Sequence, residues 1–243
     1  VSQWHGMSML RASFSDTALL QHAAIFEGAR YEAHALEAFA LMSIMGCYPD
    51  QHFFFMELGS GRAPWCLAVA GVIANRLIPT PPRECSVVAL EAEPTHYAWS
   101  KKDLLHNGIN GKVLHGAIGE MEGTCRFTAD TDPAGHMGQH VSPQGNINVR
   151  MRTIDAIMKQ LSLERVHAVH MDVQGQEVAA LRGAKRALAQ GMIDFFIIGT
   201  HSPAIEEDLR ALLAPTHELV AWLPIRGTAD IPGFSRSFRT LDD

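Results

Sequence analysis

The chain has 243 residues, 47% of them hydrophobic and 19% charged, which suits one large domain with a sizeable core and argues against wholesale disorder. A formal charge of -6 and the lack of a five-residue basic run disfavour nucleic acid as the main partner. Its four cysteines form no CxxC pair, and no apolar run reaches the roughly 18–20 residues that span a bilayer. We therefore expect a cytoplasmic protein with reduced thiols and no membrane partner.

Helical periodicity comes first along the chain. Between Thr17 and Met45, apolar residues recur at three- and four-residue spacing, and Gly28 is expected to divide the segment into two helices. We assign residues 1–50 to an N-terminal helical cap, which either covers a ligand pocket or forms a homo-oligomer contact.

Short β-rich runs then alternate with helical stretches through residues 51–243, which we assign to one Rossmann-like domain. Strands are predicted at Phe53–Glu57, Ser86–Glu91, Lys112–Ala117, Val166–Asp172, Phe195–His201 and Glu218–Leu223, with a last short strand within Arg226–Phe238. Helices are predicted at Trp65–Arg76, Thr95–Asn107, Ile154–Leu161, Glu177–Ala189 and Ala204–Leu213. Several strands are apolar on both faces, which is typical of a parallel sheet between helices. The predicted fold is α/β, with a doubly wound, mostly parallel seven-stranded sheet plus the N-terminal helices.

One stretch interrupts this alternation. Residues 129–148 are rich in Gly, Pro, Asp, Asn and His and have almost no hydrophobic period. Such a segment is too polar for the core, and we predict a lid or substrate loop.

The strongest chemical signal is a strand that ends in Glu57 and runs into the turn Gly59-x-Gly61 before a helix. Glycines let the backbone bend sharply and approach a ligand closely, and the helix start offers unpaired N–H groups. An acid beside the turn suits a ligand with an ammonium group and would repel a pyrophosphate. A Gly-x-Gly turn alone is weak, because such turns join strands to helices in many α/β folds without touching a ligand.

Two further acids end predicted strands. Glu91 closes the next strand, where a carboxylate can accept hydrogen bonds from both hydroxyls of a ribose. Glu93 has already left that strand, so Glu91 is preferred. Asp172 closes a later strand, and Glu177 follows at a helix start, where it is either a site residue or a helix-start charge.

The segment Asp172-Val-Gln-Gly-Gln-Glu177, followed by Leu181-Arg-Gly-Ala184, resembles a D-V-E-G-x-E…L-x-G-A signature. That signature belongs to the FkbM family of methyltransferases, which depend on S-adenosylmethionine (SAM). Similar matches to the family are found at Glu91-Ala-Glu-Pro94 with Asn107-Gly108, at Gly116-Ala-Ile-Gly119 and at Arg152-Thr-Ile-Asp155. The similarity covers about residues 53–201.

The resemblance implies a class I methyltransferase fold, SAM as cofactor, and O-methylation of a hydroxyl on a small molecule such as a sugar or natural product. Carried over by position, the cofactor-binding residues are Glu57, Gly59 and Gly61 at the methionine end, Glu91 at the ribose, Ala117 and Ile118 at the adenine, and Asp172. Asp172 and His201 would be the catalytic residues, with His201 as base, because a near-neutral pKa suits proton transfer. The chain departs from the family at Gln174, where an acid is usual, and at Gly199, where the family has E-x-H.

Two other functions stay open at this point. An NAD-dependent oxidoreductase can share this fold, but Pro64 follows Gly59-x-Gly61 where a dinucleotide fingerprint has its third glycine. The departures at Gln174 and Gly199 leave room for a SAM-binding domain without catalysis. No metal ligands are assigned, although Asp172 could help to bind a divalent metal.

Overall fold

A computed structural model describes residues 29–129, 138–221, 227–230 and 237–240. Seventeen helices and strands follow one another along these residues. In chain order they are α1 (Ala29–Gly46), β1 (His52–Leu58), α2 (Pro64–Ala74), β2 (Glu84–Glu91), α3 (Pro94–His106), β3 (Gly111–His115), β4 (Ala117–Ile118), β5 (Gly123–Phe127), β6 (Ile147–Arg152), α4 (Ile154–Gln160), β7 (Val166–Met171), α5 (Glu177–Arg182), α6 (Lys185–Ala189), β8 (Ile193–Ile198), α7 (Pro203–Leu213), β9 (Gly227–Asp230) and β10 (Ser237–Thr240).

The main sheet has five strands in the order β3-β2-β1-β7-β8. All four neighbouring pairs are parallel. The chain begins this sheet in its middle with β1, moves outward through β2 and β3, and returns to add β7 and β8 on the other side. The strand order therefore reverses between β1 and β7, and open α/β sheets bind ligands outside the carboxyl ends of the strands at such a point.

Helices cover both faces of this sheet. Successive side chains of a strand point to opposite faces, and in β1 residues Phe53 and Phe55 belong to the core that includes α1 and α2. Met56 and Leu58 belong to the second core, on the side of α4, α5 and α7. Because both faces are buried, the strands are continuous apolar runs, as the sequence indicated.

Side-chain caps fix where three helices begin. Glu93 accepts a hydrogen bond from the backbone N–H of His96 at the start of α3. Thr153 caps α4 in the same way, and Ser202 caps α7. Prolines at the first turn of α3 and α7 strengthen these starts, because the first helical N–H has no partner within the helix.

The predicted fold class is confirmed, but the main sheet has five strands in the described residues and not seven. Residues 218–221 of the predicted strand Glu218–Leu223 are not in a strand, and Leu219 and Val220 are 56% and 75% exposed. After α7, His217 contacts the carbonyl of Ile193 at the beginning of β8, and the chain then leaves along the surface. The last predicted strand belongs instead to an antiparallel pair, β9 and β10, which is separate from the main sheet.

A second sheet of three strands, in the order β4-β6-β5, was not predicted. Phe127 and Val149 pack there against Ala117 in a small apolar cluster. The sheet shortens the predicted loop 129–148, since Val141 forms a β-bridge with Phe127 and Ile147 begins β6. The alternation of apolar and polar residues was hard to recognise in β5 and β6, because both strands are short and partly exposed.

One predicted helix is divided. The segment predicted as Glu177–Ala189 forms α5 and α6, with Gly183 and Ala184 between them. A Cβ at Gly183 would clash with the carbonyl oxygen of Gly119, so the two helices are joined where the backbone approaches the turn after β4. Close contact at this point favours glycine.

The N-terminal segment is described in part. The first predicted helix, before Gly28, lies outside the described residues, whereas the second is α1. Leu41, Met42 and Met45 of α1 are buried in the first core. The domain boundary at residue 50, the cover over the pocket and the homo-oligomer contact stay predictions.

The cysteines are free thiols. Burial raises the pKa of Cys85 to about 11 and that of Cys66 well above its usual value, so both stay protonated at neutral pH. Within the described ranges, no helix is both long and apolar enough to cross a membrane.

Candidate functional site

A cleft of about 550 Å³, including the part open to solvent, lies at the carboxyl ends of β1, β2 and β7. This is the position where the strand order reverses. Six of the eight predicted site residues line it: Gly59, Gly61, Glu91, Ala117, Ile118 and Asp172. The other two, Glu57 and His201, lie outside the lining. Residues far apart in the sequence are thus brought together by the parallel sheet, whose strands all end at this edge.

The glycine turn joins β1 to the two neighbouring strands. Gly59 and Gly61 have φ angles of 73° and 52°, which glycine adopts without strain. The N–H of Gly59 donates to the carbonyl of Leu90 at 3.0 Å, at the end of β2. A Cβ at Gly59 would clash with the backbone carbonyl oxygen of Asp172. The cleft floor therefore depends on the missing side chain at this position.

Glu91 holds the turn to the end of β2. Its carboxylate is buried, and its two oxygens accept hydrogen bonds from the backbone N–H of Gly61 at 2.6 Å and of Glu93 at 2.7 Å. Burial raises the pKa of Glu91, while the backbone N–H groups and His96 act in the opposite direction. Each carboxylate oxygen has a second lone pair, so Glu91 can still accept hydrogen bonds from two hydroxyls of a ligand.

An apolar part of the same cleft lies beside Glu91. It consists of Ile118, Phe127 and Val141, with Ala117 next to them. Phe127 ends β5 of the second sheet and Val141 forms a β-bridge with it, and the sequence pattern predicted neither contact. The alternation of Cys125, Arg126 and Phe127 was the signal that could have revealed a strand here. Gln139 and His96 also line the cleft and were not predicted.

Glu57 does not line the cleft, and its carboxylate caps the beginning of α2. Its side chain is 1% exposed, and its oxygens accept hydrogen bonds from the backbone N–H of Cys66 at 2.8 Å and of Trp65 at 3.3 Å. These are N–H groups of the first turn of α2, which have no partner within the helix. Binding of a ligand ammonium by Glu57 stays a prediction.

Replacing Glu57 with glutamine is expected to change how stability depends on pH. Burial raises the pKa of Glu57 from 4.5 to about 7, so the native state binds its proton more tightly than the unfolded chain. This carboxyl therefore contributes most stability below pH 4.5, and the contribution is lost as the pH rises to 7. Relative to Glu57→Gln, the wild-type free energy of unfolding should fall by about 3 kcal/mol over this range.

Urea unfolding of the two proteins at several pH values measures this difference. The substitution Glu84→Gln, at the exposed beginning of β2, is the control and should not change the pH dependence in the same direction. A constant difference between wild type and Glu57→Gln from pH 4.5 to 7 would contradict the raised pKa.

Three side chains meet at the rim of the cleft. His201 Nε2 lies 3.2 Å from Asp172 Oδ1, and His201 Nδ1 lies 3.0 Å from Glu177 Oε1. Glu177 is fully buried and also accepts hydrogen bonds from the backbone N–H groups of Val173 and Gly175. Glu177 is therefore more than a helix-start charge, because its carboxylate connects the turn after β7 to the imidazole of His201.

The imidazole of His201 lies between the carboxylates of Asp172 and Glu177. Hydrogen bonds to Asp172 and Glu177 raise the pKa of His201 to about 10, although burial acts in the opposite direction. With both ring nitrogens near carboxylate oxygens, His201 must give up one contact before it can accept a proton from a substrate. Its predicted role as base stays a prediction.

His140, from the polar segment before β6, does not line the cleft. His140 Nδ1 lies 3.0 Å from the carbonyl of Gly138, in the exposed segment before β6. His136 lies outside the described residues. Glu93, the acid that the sequence reasoning set aside, caps α3 and is not part of the lining.

The chain is similar to known methyltransferases. Residues 80–227, more than half of the chain, match the sequence model of the methyltransferase FkbM domain. No curated protein sequence matches. A similar solved structure is precorrin-6y C5,15-methyltransferase from Geobacter metallireducens GS-15, with 11% identity, a TM-score of 0.41, and coverage of 74% of this chain and 68% of that one. Another is the METTL16 methyltransferase domain, with 10% identity, a TM-score of 0.44, and coverage of 83% and 63%.

The family match contains much of the cleft. Glu91, Ile118 and Asp172 lie inside the matched range, and the glycine turn of β1 lies before it. The resemblance that the sequence motifs indicated is confirmed by this match. The chain therefore belongs to the methyltransferase FkbM domain family and is a methyltransferase.

Proposed function

We propose that the chain binds SAM in the cleft and transfers its methyl group to a hydroxyl of a small molecule. The observation that carries the proposal is the position of buried Glu91, which lines the cleft and is held by the glycine turn where the strand order reverses. SAM supplies a methyl group on a positively charged sulfur. The net charge of -6 supports a small-molecule acceptor over nucleic acid.

The residues of the cleft fit such a cofactor. Glu91 has two oxygens for the ribose hydroxyls, and Ile118 and Phe127 offer an apolar surface for the adenine. Gly59 and Gly61 leave room beside the backbone for the methionine end.

The acceptor side lies at the exposed end of the cleft. Asp172 lines the cleft and its side chain is 48% exposed, so a small molecule can reach it from solvent. We assign to Asp172 the hydrogen bond from the acceptor hydroxyl, because a carboxylate accepts such a bond, orients the oxygen and can take up the proton that the oxygen loses when it is methylated. Orientation of two reactants supplies much of the rate in a displacement reaction. His201 lies behind Asp172 and fixes its carboxylate.

Calorimetric titration of the wild-type chain with S-adenosylhomocysteine (SAH), SAM and NADH tests the proposal. We expect micromolar binding of SAH and SAM with a stoichiometry of one, and no binding of NADH. Tight NADH binding without SAH binding would overturn the proposal in favour of an oxidoreductase. SAH binding with no methyl transfer to a panel of hydroxylated sugars and natural products would favour a SAM-binding domain without catalysis.

A further inference from the structure

We propose that Asp172 and His201 bind a divalent transition-metal cation at the rim of the cleft, with Glu177 holding His201 from behind. Among the residues that the structure describes, Asp172, Glu177 and His201 offer ligand atoms within 4.8 Å of one another. The use of this cation in methyl transfer rests on the proposed function. The binding of the cation itself does not.

The first support is the orientation of the imidazole. His201 Nδ1 lies 3.0 Å from the carboxylate of Glu177, which is buried and cannot turn away. With Nδ1 donating to the carboxylate of Glu177, a cation would replace the proton on Nε2 and bind its lone pair, which faces Asp172. Histidines that bind metals usually have this arrangement, with the second nitrogen donating to a carboxylate or carbonyl.

The second support is the distance between the proposed ligand atoms. Two ligands about 2.1 Å from one cation, at right angles, lie about 3 Å apart. His201 Nε2 and Asp172 Oδ1 are 3.2 Å apart. The two atoms can therefore bind one cation with small side-chain movements.

Gln174 offers a third ligand. Its side-chain amide lies 3.3 Å from Asp172 Oδ1, and the residue lines the cleft. Rotation of the amide by half a turn exchanges nitrogen for oxygen at this position, so a carbonyl oxygen can face the cation. Gln174 also has a φ of 51°, an uncommon value for a residue other than glycine.

A buried oxygen without a partner gives an independent indication of missing positive charge. Glu177 Oε2 is buried and has no hydrogen-bond partner among the described residues. A buried carboxylate is costly unless a positive charge or hydrogen bonds compensate it. Once a cation has replaced the Nε2 proton of His201, Asp172 and Glu177 carry two negative charges beside a neutral imidazole, and a divalent cation balances them.

The ligand types indicate the class of metal. One imidazole nitrogen with carboxylate and amide oxygens suits Mn²⁺, Fe²⁺, Co²⁺ or Zn²⁺ better than Mg²⁺ or Ca²⁺, which prefer oxygen alone. Three ligands from the chain leave positions open on the side of the cleft. The cation would bind the acceptor hydroxyl there, so the favoured substrates are molecules with two adjacent oxygens that can both reach it.

Titration of EDTA-treated, dialysed protein with Mn²⁺, followed by the electron paramagnetic resonance signal of the free ion, tests the site. We expect one Mn²⁺ per chain in the micromolar range. Asp172→Asn and His201→Gln should each weaken binding by at least about 10-fold, and Glu177→Gln by about 10- to 100-fold. Asp208→Asn, on the exposed face of α7, is the matched control and should bind as wild type.

Binding that is absent in the wild type, or equally strong in Asp172→Asn and His201→Gln, would overturn the cation site. Glu177 is buried, so Glu177→Gln can unfold the protein. Asp172 is exposed, and Asp172→Asn therefore tests the site without this risk. Circular dichroism checks that each variant is folded. A parallel SAH titration separates the two proposals: SAH binding without Mn²⁺ binding leaves the proposed function in place and removes the cation.

Discussion

Replacing Glu91 with alanine is expected to weaken SAH binding by at least about 100-fold. A hydrogen bond to a charged group contributes about 1.5–3 kcal/mol, and the proposed ribose contact has two of them. The substitution also leaves the N–H groups of Gly61 and Glu93 without their carboxylate partner, which loosens the glycine turn. Calorimetric titration of wild type and variant measures the loss.

The control for this prediction comes from the same strand. Glu84 begins β2 at the opposite end from Glu91, and its side chain is 55% exposed. Glu84→Ala should therefore bind SAH with the wild-type affinity. Glu91→Gln, which keeps the shape and one acceptor oxygen, should bind more weakly than wild type and fold more stably than Glu91→Ala. Wild-type affinity in Glu91→Ala would refute the ribose contact.

Replacing Gly59 with alanine is expected to destabilise the fold by about 3–5 kcal/mol and to abolish SAH binding. The new Cβ would clash with the carbonyl oxygen of Asp172 and lie 3.0 Å from Val173 Cγ1. The φ of 73° adds about 1–2 kcal/mol of backbone strain for any residue with a Cβ. Gly59 directly follows β1 and Asp172 directly follows the neighbouring strand β7, so relief of the clash requires the ends of these two strands to separate at the cleft.

Gly108 serves as a control that separates the steric clash at Gly59 from the backbone strain of a positive φ. Its φ is 63°, but a Cβ there would meet no atom within 4 Å. Gly108→Ala should therefore cost about 1–2 kcal/mol, with SAH binding unchanged. Thermal and urea unfolding of the three proteins measures both costs, and equal destabilisation in the two variants would show that the contact with Asp172 is not the cause.

Much of the fold could be predicted from the sequence because its signals are local. The apolar runs of β1 and β7 are buried on both faces, and such runs are typical of parallel strands whatever their neighbours. Gly59 and Gly61 were recognisable because a turn with positive φ favours glycine. Glu91 and Asp172 were recognisable because they end strands that were already predicted.

The residues that were missed depend on contacts between distant segments. Phe127 lines the cleft from the second sheet, whose short strands are half exposed, and Val141 reaches the cleft through a β-bridge to Phe127. The sequence pattern of these segments was too weak to predict either position. Gly183 lies between two helices at a point where the turn at Gly119 approaches it, and that approach is not visible in the helix sequence.

The sequence by itself determined the fold class, the glycine turn and the acids at the strand ends, because each follows from the local preferences of a few neighbouring residues. The tertiary structure decided what those acids contact. Glu57 caps α2, Glu91 holds the glycine turn, and Glu177 reaches across to His201 from a different element. Such contacts depend on how the sheet brings separate strand ends together. The sequence shows where a carboxylate is, but it does not show which hydrogen-bond donor lies beside it in the fold.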